Sequence, residues 1–420
     1  MDSIIILNIT ISILFTVFYF HQFIYLAVPF FIKLKRQINL PNKDTPNKYA
    51  ILIAARNEEG VIENLIKSIK MQNYPKELLK IFVVADNCTD NTAENANKAG
   101  ATVYERLNEN YIGKGYALKF LFENIFKNHT EENFDGFFVF DADNLLDPNY
   151  IFEMNKMFND GQKIITSYRN SKNYADNWIS AGYSLWFLRE SSFINRSRML
   201  LNTGCAISGT GFLISKEIAL KDNGWNFFLL TEDIEFSVYH AIQGNRIAYC
   251  HTAIFYDEQP ITFKASWYQR LRWARGFYQV LFKYGGKLFT KIFTRPSFWC
   301  FDLFMKIAPS RAITAFLLFI NIALIIYGLI QGINVSHYIN ILLLLCLTSY
   351  LINFIFGIVT VITEWKKIYC GTFAKLFYAF TFPLFIWTYI PISIVAIFNP
   401  VKWKPTLHTL NKEITEFLSK

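Results

Sequence analysis

Asp141-Ala142-Asp143 follows the apolar run Phe137-Phe138-Val139-Phe140 without a gap. A short run of β-forming residues that stops at polar ones reads as a buried strand. Residues two apart on a strand point to the same face, so both carboxylates sit together at the strand end. Such a pair suits a hard divalent cation and leaves coordination positions for phosphate oxygens. By itself the pair is equally an acidic turn, and its position in the fold has to decide. Asp86 closes a second apolar run, Ile81 to Ala85. It can accept from a ribose or a base edge, or cap the next helix with Asn87, Thr89 and Asp90. Lys114, in Gly113-Lys114-Gly115, opens a helical stretch. A cation beside free helix-terminal amides suits a diphosphate, although an isolated lysine there is commonly just solvated. Thr231-Glu232-Asp233 follows the apolar Phe227 to Leu230. Asp233 can take a proton from an attacking hydroxyl, or simply belong to the first turn of a capped helix. Gln269-Arg270-Leu271-Arg272-Trp273 supplies a cation and an aromatic platform. It lies in a stretch from 262 to 287 rich in Lys, Arg, Phe, Trp and Tyr, which also reads as an interfacial helix on anionic lipid.

These residues need a frame. Tyr49 to Ala55 is a strand that ends at Arg56-Asn57-Glu58, and a helical pattern follows to about Met71. Strand Ile81 to Ala85 precedes a helix rich in Ala and Asn. Ala101 to Tyr104 is a third strand, Gly113 to Lys127 a third helix and Phe137 to Phe140 a fourth strand. Strands alternating with helices predict an α/β unit with a parallel, doubly wound sheet. Ligands of such sheets sit at the carboxyl ends of the strands. Those ends carry Arg56, Glu58, Asp86, Asp141 and Asp143, so the periodicity alone predicts one acid-rich crevice.

The 420-residue chain is 52% hydrophobic, 18% aromatic and 18% charged, with a net charge of +9. It carries too little charge and too many aromatics for a disordered chain. It also has fewer charged residues than a soluble domain. Basic residues beside apolar runs point to lipid as the anionic partner and away from nucleic acid. Residues 3 to 32 carry no charged side chain, long enough to cross a bilayer, and Lys33, Lys35 and Arg36 follow. They read as an uncleaved anchor, with the next domain in the cytosol. Residues 312 to 363 read as two spans split at Gln331-Gly332-Ile333-Asn334. Residues 376 to 401 read as a fourth, bent at Pro383 and Pro391. Four crossings conflict with a tail carrying Lys402, Lys404, Lys412 and Lys420, which reads as cytosolic. Either the last segment is re-entrant, or a span hides near 296 to 311, or the charge rule fails. The expected layout is an anchor over 1–32, a cytosolic unit over 49–260, interface helices over 261–308, membrane helices over 309–398 and a polar tail over 399–420.

Taken in order, Asp86, Asp141-x-Asp143, Thr231-Glu232-Asp233 and Gln269-x-x-Arg272-Trp273 resemble the membrane-embedded processive glycosyltransferases of family 2. This group includes cellulose, hyaluronan and poly-N-acetylglucosamine synthases. The resemblance covers roughly residues 50 to 280. It implies a GT-A-type, Rossmann-like domain joined to a transmembrane bundle in the plasma membrane. It further implies a UDP-sugar donor held by Arg56, Glu58 and Asp86, with Lys114 and Arg272 at the diphosphate. Asp143 and Asp141 would bind Mg²⁺ or Mn²⁺, and Asp233 would be the base. The acceptor, a growing polysaccharide, would meet Gln269, Trp273 and the loop Ser208-Gly209-Thr210-Gly211-Phe212, with Thr210 counted as a contact. Single displacement would invert an α-linked donor into a β-linked product. The general likeness of the 231–236 and 269–273 region to glucan synthases favours glucose, with N-acetylglucosamine or a hyaluronan-like polymer as alternatives. Only one span precedes the domain, as in small Gram-positive exopolysaccharide synthases. No regulatory domain, gating loop or accessory secretion partner is legible. A non-processive transferase acting on a lipid, a transporter and a glycoside hydrolase are the rival classes. The uncharged spans argue against the second. A hydrolase needs paired carboxylates but no nucleotide-type sheet.

Overall fold

The computed structural model describes residues 2–32, 45–294, 297–401, 408 and 410–418. Lys33, Lys35, Arg36, Lys402, Lys404 and Lys420, on which the sidedness argument rests, lie outside the described residues. Strands β1 (Tyr49–Ala55), β2 (Leu79–Asp86), β3 (Thr102–Arg106) and β4 (Gly136–Asp141) are parallel, in the order β3-β2-β1-β4. Ala54 pairs with Val84 on one side and Asp141 on the other, so the three strand ends come level. The apolar runs are continuous because both faces are covered, as parallel strands require. Ile51, Ile53, Val83 and Phe138 face helix α3 (Ile62–Lys70) and pack with Leu65, Ile66 and Ile69. α4 (Thr92–Lys98) lies on that same face through Ala96. Leu52, Phe82, Val84 and Val139 face α5 (Lys114–Asn128) and pack with Leu118, Leu121 and Ile125.

Past β4 the expected parallel sheet becomes a mixed one. The chain runs through β5 (Leu145–Leu146), α6 (Tyr150–Asn159), β6 (Ile164–Ser171), α7 (Trp178–Arg189), α8 (Arg196–Leu200), β7 (Phe212–Ser215), α9 (Lys216–Lys221), α10 (Glu232–Gln243) and β8 (Ala248–Asp257). β7 is antiparallel to both β4 and β6, β8 is parallel to β6, and β5 is antiparallel to β8. The eight strands order as β3-β2-β1-β4-β7-β6-β8-β5. The strand-helix alternation of the sequence stops at Asp141. Strands of two and four residues carry too little pattern to name their partners, which packing chooses.

Helices α1 (Asp2–Tyr19) and α2 (His21–Phe31) form the N-terminal segment. α2 rests on the α/β unit. Tyr25 donates to Asp302 (2.6 Å), whose carboxylate also takes the Arg198 guanidinium at 2.7 and 3.0 Å. The long α11 (Phe263–Thr294) leads to α12 (Phe298–Ile307), α13 (Ser310–Ile330), α14 (Ser336–Thr363), α15 (Thr372–Trp387) and α16 (Tyr389–Phe398). Among the described residues, four stretches are long and apolar enough to cross a membrane: Ile6–Phe31, Ser310–Ile330, Ser336–Thr363 and Thr372–Phe398. They coincide with the four apolar runs of the sequence. α12 has ten residues, well short of the ~20 a span needs. It is therefore not the hidden crossing near 296 to 311.

The last apolar stretch breaks at Thr388. Pro391 cannot donate to the carbonyl four residues back. Arg270 of α11 meets the break, donating to the Phe385 carbonyl (3.1 Å) and the Thr388 hydroxyl (2.6 Å). At the start of the stretch Tyr174 donates to the Lys375 carbonyl at 3.2 Å. Near its end Tyr278 donates to the Ser393 carbonyl (3.0 Å) and Arg275 to those of Ala396 and Ile397 (3.2 and 3.1 Å). The stretch thus touches the α/β unit or its α11 at the start, the middle and the end.

Candidate active site

The crevice lies where the strand ends come level. Asp86, at the end of β2, is buried and ion-paired with Arg106 at the end of β3. Burial pushes the Asp86 carboxyl up, and Arg106 and Arg56 oppose it. Glu58 lies just past β1. Its carboxylate meets the His408 imidazole at 2.9 and 3.1 Å. Burial raises Glu58 to about 7 in spite of that partner.

Lys114, at the first turn of α5, joins two parts of the site. Its ammonium pairs with Asp141 and donates to the Gly209 carbonyl at 2.7 Å. The Asp141 N–H donates to the Thr210 hydroxyl (2.8 Å), which in turn donates to the Asn144 side chain. Thr210 is 1% exposed. Expected at the acceptor, it is instead a tie that fixes the turn of the aspartate pair, its hydroxyl used in both directions. Asp143 accepts from the Glu258 N–H at 2.8 Å and from Asn144 at 3.2 Å. Burial alone would raise its carboxyl. His408, Lys172, the Glu258 N–H and Arg169 outweigh burial and hold it below the ordinary carboxylate value. Asp143 is therefore ready as an anionic ligand, and Asp141 is more open at 39% side-chain exposure. Among the described residues no three His, Cys, Asp or Glu side chains form a metal-holding group. This donor set fits a hard cation that completes its shell with ligand phosphate oxygens and water, not a closed protein cage.

Asp233 lies in the first turn of α10. Burial pushes its carboxyl up, against Lys114 and Arg272 among others. Its neighbour Glu232 is raised to about 7 by burial and by Asp233 itself. A Cβ placed on Gly209 would stand 3.7 Å from Asp233 Oδ2. The loop over 208–212, the Lys114–Asp141 pair and the half-buried Asp233 therefore converge. Arg272 donates to the Leu230 carbonyl at 3.1 Å, within the turn that delivers Asp233. Trp273 is wedged edge-on between Tyr183 (5.8 Å) and Phe187 (6.2 Å). The buried Gln269 Oε1 has no hydrogen-bond partner among the described residues. Trp225 is core, stacked on Phe236 at 5.1 Å, and Trp186 stacks on Tyr389 at 5.6 Å.

Three contributors escape a sequence reading. Arg169 of β6 reaches Asp257 of β8 at 2.7 Å, and Lys172 is buried beside Asp143. Both come from the mixed half of the sheet, where no spacing rule links them to the aspartate pair. Glu235 is wholly buried and accepts from the N–H groups of Phe228 and Leu229, each at 2.9 Å. It also takes Lys283 (2.6 Å) and Tyr284 (3.1 Å) of α11. It fixes the loop before Asp233, and a third acidic residue two positions past Asp233 is the only local signal of it. Glu235→Ala would strand two backbone donors, at about 1–3 kcal/mol each. The expected result is a lowered Tm and a reduced turnover with donor affinity kept. An unchanged Tm and turnover would remove Glu235 from the positioning set.

The chain is similar to several known proteins. A probable glycosyltransferase, YdaM, of Bacillus subtilis (strain 168) is 27% identical over 67% of this chain and 68% of its own length. The poly-beta-1,6-N-acetyl-D-glucosamine synthase of Staphylococcus aureus (strain MSSA476) is 28% identical over 58% of this chain, and the match spans 57% of that relative. A solved mannosyltransferase from Pyrobaculum calidifontis, in complex with GDP-Man and Mn²⁺, shares the fold with a TM-score of 0.57. It is 13% identical, with coverage of 91% of this chain and 96% of that one. The family described as "Glycosyltransferase like family 2" matches residues 46–276, more than half of the chain. The GT-A-like mixed sheet, the paired aspartates at a strand end and Asp233 all fall within that match, and the chain belongs to glycosyltransferase family 2.

Proposed function

We propose that this enzyme is an inverting transferase that takes a UDP-sugar in the crevice and adds the sugar to a β-linked polysaccharide. The observation that carries the reading is the convergence of Asp233, the 208–212 loop and the Lys114–Asp141 pair. Asp233 accepts the proton of the acceptor hydroxyl, and burial raises its basicity above that of an ordinary carboxylate. The hydroxyl oxygen attacks the anomeric carbon as the diphosphate departs from the opposite face, inverting the α-linked donor. Lys114 and Arg272 lie on the side where negative charge collects. Mg²⁺ or Mn²⁺ held by Asp143 with Asp141 would supply neutralisation of that charge. Asp86, Arg56 and Glu58 take the uridine end, and Trp273 and Gln269 the acceptor end.

The motif region alone favours glucose. The relatives named as poly-N-acetylglucosamine synthases shift the preferred donor to UDP-N-acetylglucosamine. In this reading the α/β unit faces the cytosol at the plasma membrane, where nucleotide sugars are available. The stretch over 372–398 is assigned as re-entrant, because its start, middle and end all rest on the α/β unit and α11. Three crossings then put the N-terminus outside and the tail with the α/β unit.

A donor panel tests the reading. The full chain in detergent is given UDP-N-acetylglucosamine, UDP-glucose, UDP-glucuronate or GDP-mannose with Mg²⁺ or Mn²⁺, and nucleotide release and product size are measured. A long polymer from UDP-N-acetylglucosamine is expected. A long polymer from another donor would replace the sugar. A short, lipid-extractable product would replace polymerisation by transfer to a lipid.

A further inference from the structure

Arg270 of α11 and Arg311, in the first turn of α13, share one aromatic ring. Their guanidinium carbons stand 5.3 and 4.5 Å from the centre of the Tyr389 ring. Arg311 also lies 5.3 Å from the ring of Trp186 of α7. Arg270 is wholly buried. Its Nη1 serves Phe385 and Thr388 and its Nε the Ser266 carbonyl at 3.4 Å, but its Nη2 has no hydrogen-bond partner among the described residues. Among those residues Arg311 has ring contacts and neither a hydrogen bond nor a carboxylate. Burial pushes the Arg270 guanidinium below its ordinary value; Tyr183 and Tyr389 oppose this and Arg311 adds to it. No acid is at hand to balance the two. α7, α11, α13, α15 and α16 contain no Asp or Glu. Glu190, just past α7, is taken by Lys306 at 2.8 Å. Arginine keeps its charge in proteins, and a buried charge without a counter-charge is strongly unfavourable.

We propose that Arg311 and Arg270 hold the phosphate of an anionic phospholipid headgroup where α7, α13 and α16 meet, in the leaflet on the side of the α/β unit. The proposal rests on reading residues 310–330 as a membrane span. Arg311 stands at the end of that apolar stretch. Close by, Ile313 and Phe316 of α13 and Ile397 of α16 are exposed. Acyl chains covering those side chains would place a headgroup level with Arg311. The planar fork of a guanidinium matches two phosphate oxygens. A lipid with net negative charge fits better than a zwitterionic one, whose own cation would restore the excess. Arg272 and Trp273 lie on the same turns of α11 as Arg270, so a bound headgroup would also steady that wall of the active site.

Two measurements on the full chain test it. In the first, the chain is placed in nanodiscs of phosphatidylcholine mixed with phosphatidylglycerol, and the lipid it retains is read by native mass spectrometry. One retained phosphatidylglycerol per chain is expected. Arg311→Gln should lower its occupancy about 10-fold, the scale of one lost charge-assisted hydrogen bond. Lys287→Gln, at an exposed lysine of α11, should leave it unchanged. Equal loss in both variants would reduce the effect to general attraction by a basic surface and overturn the site. Where Arg311→Gln fails to fold, Arg311→Lys carries the test. It keeps the charge and loses the fork, so a loss of about 3-fold is expected, and full retention would overturn the site. A chain that does not enter the nanodiscs would remove the membrane reading, and the site with it. The second measurement follows the Tm of the detergent-solubilised chain with short-chain phosphatidylglycerol or with inorganic phosphate. A rise with the lipid alone, lost in the Arg311 variant, is expected. An equal rise with inorganic phosphate, also lost in that variant, would make this a site for a soluble anion and overturn the lipid.

Discussion

Asp233→Asn is expected to lower kcat by about 10²–10⁴-fold, the share typical of a positioned general base, while UDP still binds. The amide keeps the shape of the side chain but cannot take the acceptor proton. The sign of the pH dependence follows from burial. Asp233 works only when deprotonated, and burial raises its carboxyl, so activity should begin to fall on acidification above the ordinary carboxylate range. That acidic limb belongs to the coupled Glu232–Asp233 pair and should persist in Glu232→Gln but vanish in Asp233→Asn. Calorimetric UDP binding and a kcat/KM pH profile on the three proteins check this. Near-parental turnover in the Asp233→Asn enzyme would remove Asp233 from the chemistry.

Gly276→Ala is expected to cost turnover on the order of 10²-fold, the scale set by about 1 Å of misplacement at a reacting centre. Gly276 is the point where α11 passes over Thr231. An added Cβ would stand 2.5 Å from Thr231 Oγ1 and 2.9 Å from its Cβ, inside normal contact. Thr231 immediately precedes the turn carrying Glu232 and Asp233. Arg272, one turn before Gly276 on α11, holds the Leu230 carbonyl of the same loop. Pushing α11 away therefore shifts Arg272 and Trp273 relative to Asp233. Helix propensity alone predicts the opposite, a gain of about 1 kcal/mol from replacing a helical glycine by alanine. Tm and kcat measured together separate the two effects. A higher Tm with unchanged kcat would show that the helices accommodate the methyl and that this close approach does not position the base.

Much of the arrangement is local and therefore legible. The β1 to β4 alternation, the level strand ends carrying Glu58, Asp86 and Asp141, and the four apolar stretches all follow from periodicity and run length. Local spacing also fixes the order of Asp86, the aspartate pair, Asp233 and the 269–273 motif, and so the family. What depends on distant segments meeting is not local. The reversal of β7, the half-buried Arg169 of β6 with the buried Lys172 just past it, and the tie through Thr210 are set by packing between parts of the chain far apart in sequence. A threonine in a glycine-rich loop reads the same whether its hydroxyl faces a ligand or an aspartate turn. Glu235 reads as one more acidic residue in a first turn until the N–H groups of Phe228 and Leu229 are seen to converge on it. The tail is the clearest case. Its lysines placed it on one side of a membrane by charge, but nothing near His408 names Glu58, 350 residues away. Composition and period determine which residues are buried and which strand ends carry acids. Only the folded chain decides which distant side chain meets each acid, because that choice is made by the geometry of closure and not by any neighbour in sequence.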